Sequence, residues 1–557
     1  MLTRLIQLLT GGGAGKKTQR AAPLPVEASG DAGRADAACR EADALIEHGR
    51  LDEAESRLRE AIALRHDFAE AHGRLGAIHE QRGELEDAAD CYQLAIHFDP
   101  ALAVAHFGLA RLHKGQGRHA EAAAHYRRII EHHPDDAAAH RNLCLALHET
   151  GEYAQALAHG RRALAIDPGL TEARHNLGLV LLAVGDPEQA MQHFRRALEE
   201  RPCAETASAL GHAYRDLGRL EDAIAAYDHA RSFSPDFGDA VLNRAHALLL
   251  NGDYSAGWAE YEKRFIATGS GVRDFGLPRW NGEPLQGRTI LVHAEQGLGD
   301  EIMFASCVPD VIANAGHVVI ECNDRLEALF RRSFPGATVH GGKKDDPADW
   351  LERHAPVHCQ TPIGGLPRHF RSELAAFPQA RGYLRADPAR VRAWRERLGA
   401  ADGRLRIGLS WRGGTPKTRT HLRSMAPEEL GPLSRPGFDF VNLQYGAAAR
   451  SLTGNAPVMH TFPGVGEDLD EMAALICALD LVVSVANTTV HLAGALGRPV
   501  WALLSPSPEW RYGARGETMP WYPSARLFRR GHGKGWDAVI GRIARELDEL
   551  RYTQHLK

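Results

Sequence analysis

The sequence predicts an α-solenoid of helical hairpins followed by an α/β region of two lobes. Three observations carry that prediction. Glycines recur at a near-constant spacing through the front half, apolar runs of strand type begin after residue 269, and those runs alternate with helix-periodic segments. With 557 residues the chain is long enough for several domains, because single cores rarely grow past roughly 250–300 residues.

The repeat comes first. Gly49, Gly83, Gly117, Gly151, Gly185, Gly218 and Gly252 stand 34, 34, 34, 34, 33 and 34 residues apart. Five residues after each lies a small residue: Ala54, Ala88, Ala122, Ala156, Ala190, Ala223 and Gly257. Aromatic side chains follow nine positions after the glycine at Tyr92, Tyr126, Phe194, Tyr227 and Tyr261, and Pro100, Pro134, Pro168, Pro202 and Pro235 close five units. Gly turns the chain between two antiparallel helices, the small residue lets them approach, the aromatic fills the space beside it, and Pro stops the second helix. Four marks in phase resemble the tetratricopeptide repeat. That resemblance implies seven repeats over 35–270, the first and last degenerate because one side lacks a repeat neighbour. Such arrays commonly bind a partner segment in a groove. Residues 1–34, rich in Gly, Ala, Lys and Pro from 11 onward, read as a flexible leader.

Composition narrows the function. A net charge of −5 disfavours a general nucleic-acid binder, which would be basic. Eight scattered cysteines without a C-x-x-C pair suggest neither a disulfide framework nor a zinc site, and fit a reducing, cytoplasmic setting. The first residues are too short and polar for a signal segment, and no apolar run is long enough to span a membrane. His106, His113, His125, His132, His133 and His140 are read as helical surface and turn positions without ligand spacing, so no metal is expected.

In the back half, strands are expected at 289–293, 317–321, 406–411, 438–444, 481–485 and 499–504. Helices are expected at about 301–314, 389–398, 426–433, 468–479, 489–496 and 535–550. This alternation means parallel sheets covered by helices, and the Pro- and Arg-rich stretch 378–403 divides them into lobes of 271–385 and 386–557. Ligands of such sheets bind beyond the carboxyl ends of the strands, so the loops after strands are where chemistry is sought.

Three of those loops stand out. The first, 296–301, holds Gly297, Gly299 and Asp300 before a helix. Asp300 is either a helix cap or a general base at the crevice mouth. The second, 412–424, holds Arg412, Gly413, Gly414, Lys417 and Arg423 with no acid, an environment suited to a leaving diphosphate or simply a solvated basic loop. Gln444, at the end of the next strand, faces the same crevice. The third places Asn487, Thr488, Thr489 and His491 at the start of a small-residue helix, where free N–H groups and hydroxyls can cradle phosphates or the helix is merely capped.

The stretches 289–305 and 471–505 resemble tetratricopeptide-fused bacterial glycosyltransferases, related to the lipopolysaccharide heptosyltransferases and more distantly to protein O-linked N-acetylglucosamine transferases. The resemblance covers about 35–545. It implies a GT-B fold of two Rossmann-like lobes, with the acceptor on the first and the nucleotide sugar on the second. It also implies inverting, metal-independent transfer of a hexose or heptose, with the donor the only small molecule required and no further cofactor. Carried over, Asp300 matches the base, Arg423 falls near a cationic phosphate ligand, and Thr488, Thr489 and His491 match the nucleotide-diphosphate loop. One departure is Ala486-Asn487 where relatives carry Asp after Ser-Val. The acceptor is expected to be a protein or glycan hydroxyl, with the repeats holding it or a partner. The alternative is a repeat scaffold whose transferase domain is inactive.

Overall fold

In the computed structural model the described residues are 30–265, 273–295, 297–343, 346–354, 356–379, 382–414, 420–446, 454 and 456–555. The chain forms two compact units, one up to Leu210 and one from Gly211. Among the described residues no helix is long and apolar enough to cross a membrane.

The first unit is an α-solenoid of helix pairs. The pairs are Asp31–Glu47 with Leu51–Leu64, Ala69–Arg82 with Leu85–Phe98, Ala103–Gly115 with His119–His132, Ala137–Thr150 with Tyr153–Ile166, and Thr171–Val184 with Pro187–Glu200. The first helix starts at Asp31, inside the stretch read as a leader; the rest of that leader lies outside the described residues, apart from Gly30. Each turn glycine is left-handed, with φ of 75° at Gly49, 81° at Gly83 and 82° at Gly151, the conformation in which an L side chain is strained. Ala54, Ala88, Ala122, Ala156 and Ala190 are all fully buried, as is Tyr92. A second set of glycines, not singled out from the sequence, makes room for the aromatics. A Cβ on Gly108 would lie 2.3 Å from Tyr92 Cζ, and one on Gly178 would lie 2.6 Å from Phe194 Cε1.

The histidines correct their sequence reading. His132 and His133 are exposed, but His106 and His140 are buried. Nε2 of His106 faces the Pro100 carbonyl at 3.0 Å, and its Nδ1 meets His125 Nδ1 at 3.0 Å. His140 repeats this 34 residues later with the Pro134 carbonyl and His159. A ring nitrogen against a carbonyl must carry the proton, so these histidines staple the loop between repeats. All eight cysteines are free thiols.

The second unit carries two sheets. In the smaller, β1 (Thr289–His293), β2 (His317–Asn323), β3 (Ala337–Gly342) and β4 (Cys359–Pro362) are all parallel in the order β3-β2-β1-β4. The larger contains β5 (Leu405–Ser410), β6 (Phe438–Asn442), β7 (Met459–His460), β8 (Leu481–Val485), β9 (Val500–Leu504), β10 (Thr518–Met519) and β11 (Tyr522–Arg529). Its order is β10-β11-β9-β8-β5-β6-β7, with only the β10–β11 pair antiparallel. The strands expected from the sequence are present. Unexpected are β3, β4 and β7, which are short or glycine-containing, and β10–β11, where Pro523, Arg526 and Arg529 mask the strand pattern. The helix expected over 301–314 is two, Leu298–Phe304 and Val308–Asn314, joined by a 3₁₀ turn, because Pro309 has no N–H to continue the ladder. The segment Pro427–Leu433 is 3₁₀ rather than α, with Pro432 inside it.

The last helices of the repeat series belong to this unit. Helices Gly238–Asn251 and Tyr254–Tyr261 share a core with the sheets. The Trp258 ring stands edge-on to Trp510 at 5.4 Å, and its Nε1–H donates to the Arg371 carbonyl at 2.8 Å. Arg264 is nearly inaccessible and holds Glu295, which follows β1, in a two-pronged pair with contacts of 2.8 to 3.1 Å. Two buried charges so close are tolerable only because each is fully partnered. The compact unit therefore begins inside the repeat series rather than at its end.

Candidate functional site

The site is built where the loop after β1 meets the loops after β5, β8 and β9. Gly297 is the N-cap of the helix Leu298–Phe304, so Gly299 and Asp300 lie in its first turn rather than in a loop before it. A Cβ on Gly299 would come within 3.2 Å of His491 Cδ2 and 3.6 Å of Thr488 Oγ1, so the backbone there presses directly on the helix Thr488–Ala495. Gly297 has open space around its Cα.

Asp300 does not cap its helix. Its carboxylate accepts from Arg511 Nε at 2.8 Å and also from Nη2 of the same guanidinium. Burial pushes this carboxyl above the ordinary carboxylate range, while Arg511 pulls it back. Arg511 continues to Glu509 at 3.2 Å, and Glu509 reaches Arg423 Nη1 at 2.6 Å. Arg423 also donates through Nη2 to the Ala486 carbonyl at 3.0 Å. Asp300 and Arg423 thus stand at opposite ends of one chain of ion pairs.

Glu509 and Arg511 were not among the residues singled out from the sequence. They lie in the loop after β9, whose strand was recognised. The rule that chemistry follows strands could have found them. The loop is pinned by the Ala514 N–H donating to the Leu250 carbonyl at 3.1 Å and by Trp510 packing on Trp258 and Tyr261.

Other predicted residues have structural duties. Gln444 is a correction. Its Oε1 accepts from Ser410 Oγ and the N–H groups of Trp411 and Arg412, at 2.9 to 3.1 Å, and its Nε2 donates to the carbonyls of Arg412 and Tyr445. It staples the second loop instead of facing a ligand. Asn487 is likewise a cap: Oδ1 accepts from the Thr489 N–H at 2.9 Å and from Ser484 Oγ at 3.0 Å, and Nδ2 donates to Ser410 Oγ at 2.8 Å. The Thr489 N–H is therefore not available to a phosphate, and the Thr489 side chain is buried while Thr488 is half-buried. His491 is buried between Gly299 and Tyr522, with Nδ1 3.2 Å from the Tyr522 hydroxyl, and burial lowers it to about 3.

In the basic loop, Gly413 sits so close to the third loop that a Cβ would lie 2.5 Å from the Ala486 carbonyl oxygen. Gly414 is left-handed with φ 80°. Arg412 is exposed. Lys417 and Arg419 lie outside the described residues.

Three neighbours complete the picture. Glu301 is buried and pushed up to about 7, but its Oε2 accepts the Asn323 N–H at 2.9 Å. His293 is buried and lowered to about 4, with Nε2 lacking a hydrogen-bond partner. Among the described residues one trio, His79, Glu84 and Asp87, has ligand atoms within 4.8 Å of one another; it lies in the first unit, and its two carboxylates are exposed.

Residues 39–103, 107–171, 175–236 and 208–271 match the tetratricopeptide repeat family. Protein FlbA of Caulobacter vibrioides is 34% identical over an alignment of 358 residues that covers 60% of this chain and 60% of FlbA. The chain thus spans less than two thirds of the length of that relative. Two solved structures resemble the repeats. YrrB, a TPR protein with an unusual peptide-binding site, is 22% identical, with 34% of this chain and 97% of YrrB covered and a TM-score of 0.30. TTC0263 of Thermus thermophilus, a thermophilic TPR protein, is 25% identical, with 32% and 99% covered and a TM-score of 0.28. The front of this chain, from 39 to 271, is an array of tetratricopeptide repeats.

Proposed function

We propose that the second unit is a glycosyltransferase of GT-B type that moves a sugar from a nucleotide-diphosphate donor to an acceptor hydroxyl. The observation that carries this reading is that Asp300, in the first turn of the helix after β1, and Arg423, after β5, are joined through Glu509 and Arg511. A carboxylate raised by burial can take the acceptor's proton as its oxygen attacks the anomeric carbon, and that attack inverts the centre. The C–O bond to the diphosphate breaks, and the departing charge falls to Arg423, Arg412, Lys417 and the Thr488 hydroxyl and N–H at the helix start. Fixed cations and a helix end can neutralise a diphosphate without a metal. The repeats hold a protein acceptor or a partner segment.

A second reading, a repeat scaffold with an inactive transferase domain, is favoured by Ala486. Its side chain offers no carboxylate where related transferases carry one, and its carbonyl is spent on Arg423. A thermal-shift panel of UDP-, GDP-, ADP- and CMP-sugars, followed by donor hydrolysis, separates the two. Binding at a hundredfold excess over Kd adds about 2.7 kcal/mol of apparent stability. No stabilisation by any donor would discard the transferase reading, and stabilisation without turnover would select the scaffold.

A further inference from the structure

The ion-pair chain crossing the site has a property that neither of its ends has alone. Glu509 is shared: one carboxylate oxygen takes Arg423 at 2.6 Å and the other takes Arg511 at 3.2 Å. Arg511 is shared in turn between Glu509 and Asp300. Both arginines and Asp300 are largely shielded from water, where such pairs are strong and exchange of partners is felt at the far end.

We infer that Glu509 and Arg511 are positioning residues that couple the diphosphate end of the site to Asp300, so that donor occupancy loosens the grip on the base. This rests on the transferase reading above. Glu509 bridges both guanidinium groups. A diphosphate on Arg423 competes with Glu509 for that cation, Glu509 passes wholly to Arg511, and Arg511 gives up part of its hold on Asp300. The carboxylate then becomes the stronger base only when a donor is present to react. By linkage, neutralising Asp300 must act back on the diphosphate end by the same route.

Calorimetry of UDP, GDP, ADP and CDP with the full chain tests this. Glu509→Gln keeps the shape and removes the competitor for Arg423, so the nucleoside diphosphate that binds wild type should bind this variant about fivefold tighter or more. Asp300→Asn should also tighten binding, because Arg511 then draws Glu509 off Arg423. Simple repulsion of an anion by two carboxylates would make the two gains add. The relay makes the Asp300→Asn gain vanish once Glu509 is Gln, and the Glu509→Gln gain vanish once Arg423 is Ala. A single cooperative melting transition well above the assay temperature shows that each variant is folded. Additive gains, or unchanged or weaker binding by Glu509→Gln, overturn the relay and leave the donor site standing. If wild type binds none of the four, the donor site falls and the relay with it.

Discussion

Two glycines, one from each unit, do opposite work. Gly83 in the first unit has φ 81° and open space around it, so it is needed for a backbone conformation. Gly364 in the second has no left-handed backbone, but a Cβ there would lie 2.0 Å from Glu295 Oε1, so it is needed for room. A conformational glycine answers to its immediate neighbours along the chain and recurs with the repeat. A spacing glycine answers to the side chain packed on it, Tyr92 for Gly108 and Glu295 for Gly364. A like division separates the capping bond of Asn487, made to a residue two positions on, from the pairing of Asp300, whose partner Arg511 lies 211 residues on.

The largest effect expected is catalytic. Asp300→Asn should lower transfer roughly a hundredfold or more, with a fall in melting temperature that reflects the lost charge partner of Arg511 and not a lost helix cap. Transfer within a few-fold of wild type would move the search to His293, with its unpartnered Nε2, or to Glu301 or His491.

Next comes the diphosphate end. Arg423→Ala should cost on the order of 1.5–3 kcal/mol of nucleoside-diphosphate affinity, and Thr488→Val less. Thr489→Val should be near neutral for binding, because the side chain is buried and the N–H, which serves Asn487, is kept. A large effect at Thr489 in calorimetry would mean that the cap opens when a ligand enters.

The glycine contrast can be broken by unfolding measurements. Gly364→Ala must push against a buried ion pair and should cost about 1–3 kcal/mol. Gly83→Ala pays only for the left-handed backbone, about 1–2 kcal/mol. Replacing Gly83 by Asn, which tolerates that region, should recover most of the loss, whereas Gly364→Asn should be worse than Ala. Recovery at both positions would erase the distinction.

The smallest effect concerns pH in the first unit. Burial lowers His125 to about 4 and lowers His106 and His159 as well, all from 6.5. The unfolded chain takes up protons that the folded pairs refuse. Their contribution is therefore whole above pH 6.5 and lost as pH falls toward about 4. Amide protection over 103–132, measured against the unstructured rate at each pH, should fall between about pH 6.5 and about pH 4, and His125→Gln, which can still donate to His106, should flatten the change.

How much was legible follows from where each constraint acts. The repeat phase was readable because turn, contact and stop residues all fall within one unit of 34. The βαβ succession and the strands β1, β2, β5, β6, β8 and β9 were readable as buried apolar runs. Of the candidate site, the loops were found but their internal economy was not. Nothing local to Gln444 says that its amide is spent on the backbone of 411–412, and nothing local to His106 says that its ring closes a loop onto Pro100. The meeting of Asp300 with Arg511 depends on two sheets, a helix pair and a loop pinned between them. Periodicity, turn chemistry and binary pattern are written along the chain, so the sequence alone determined the repeats, the alternation and the loops worth searching. Which charges face each other, and where a compact unit begins, are set by contacts between segments far apart in sequence, so only the tertiary structure decided them.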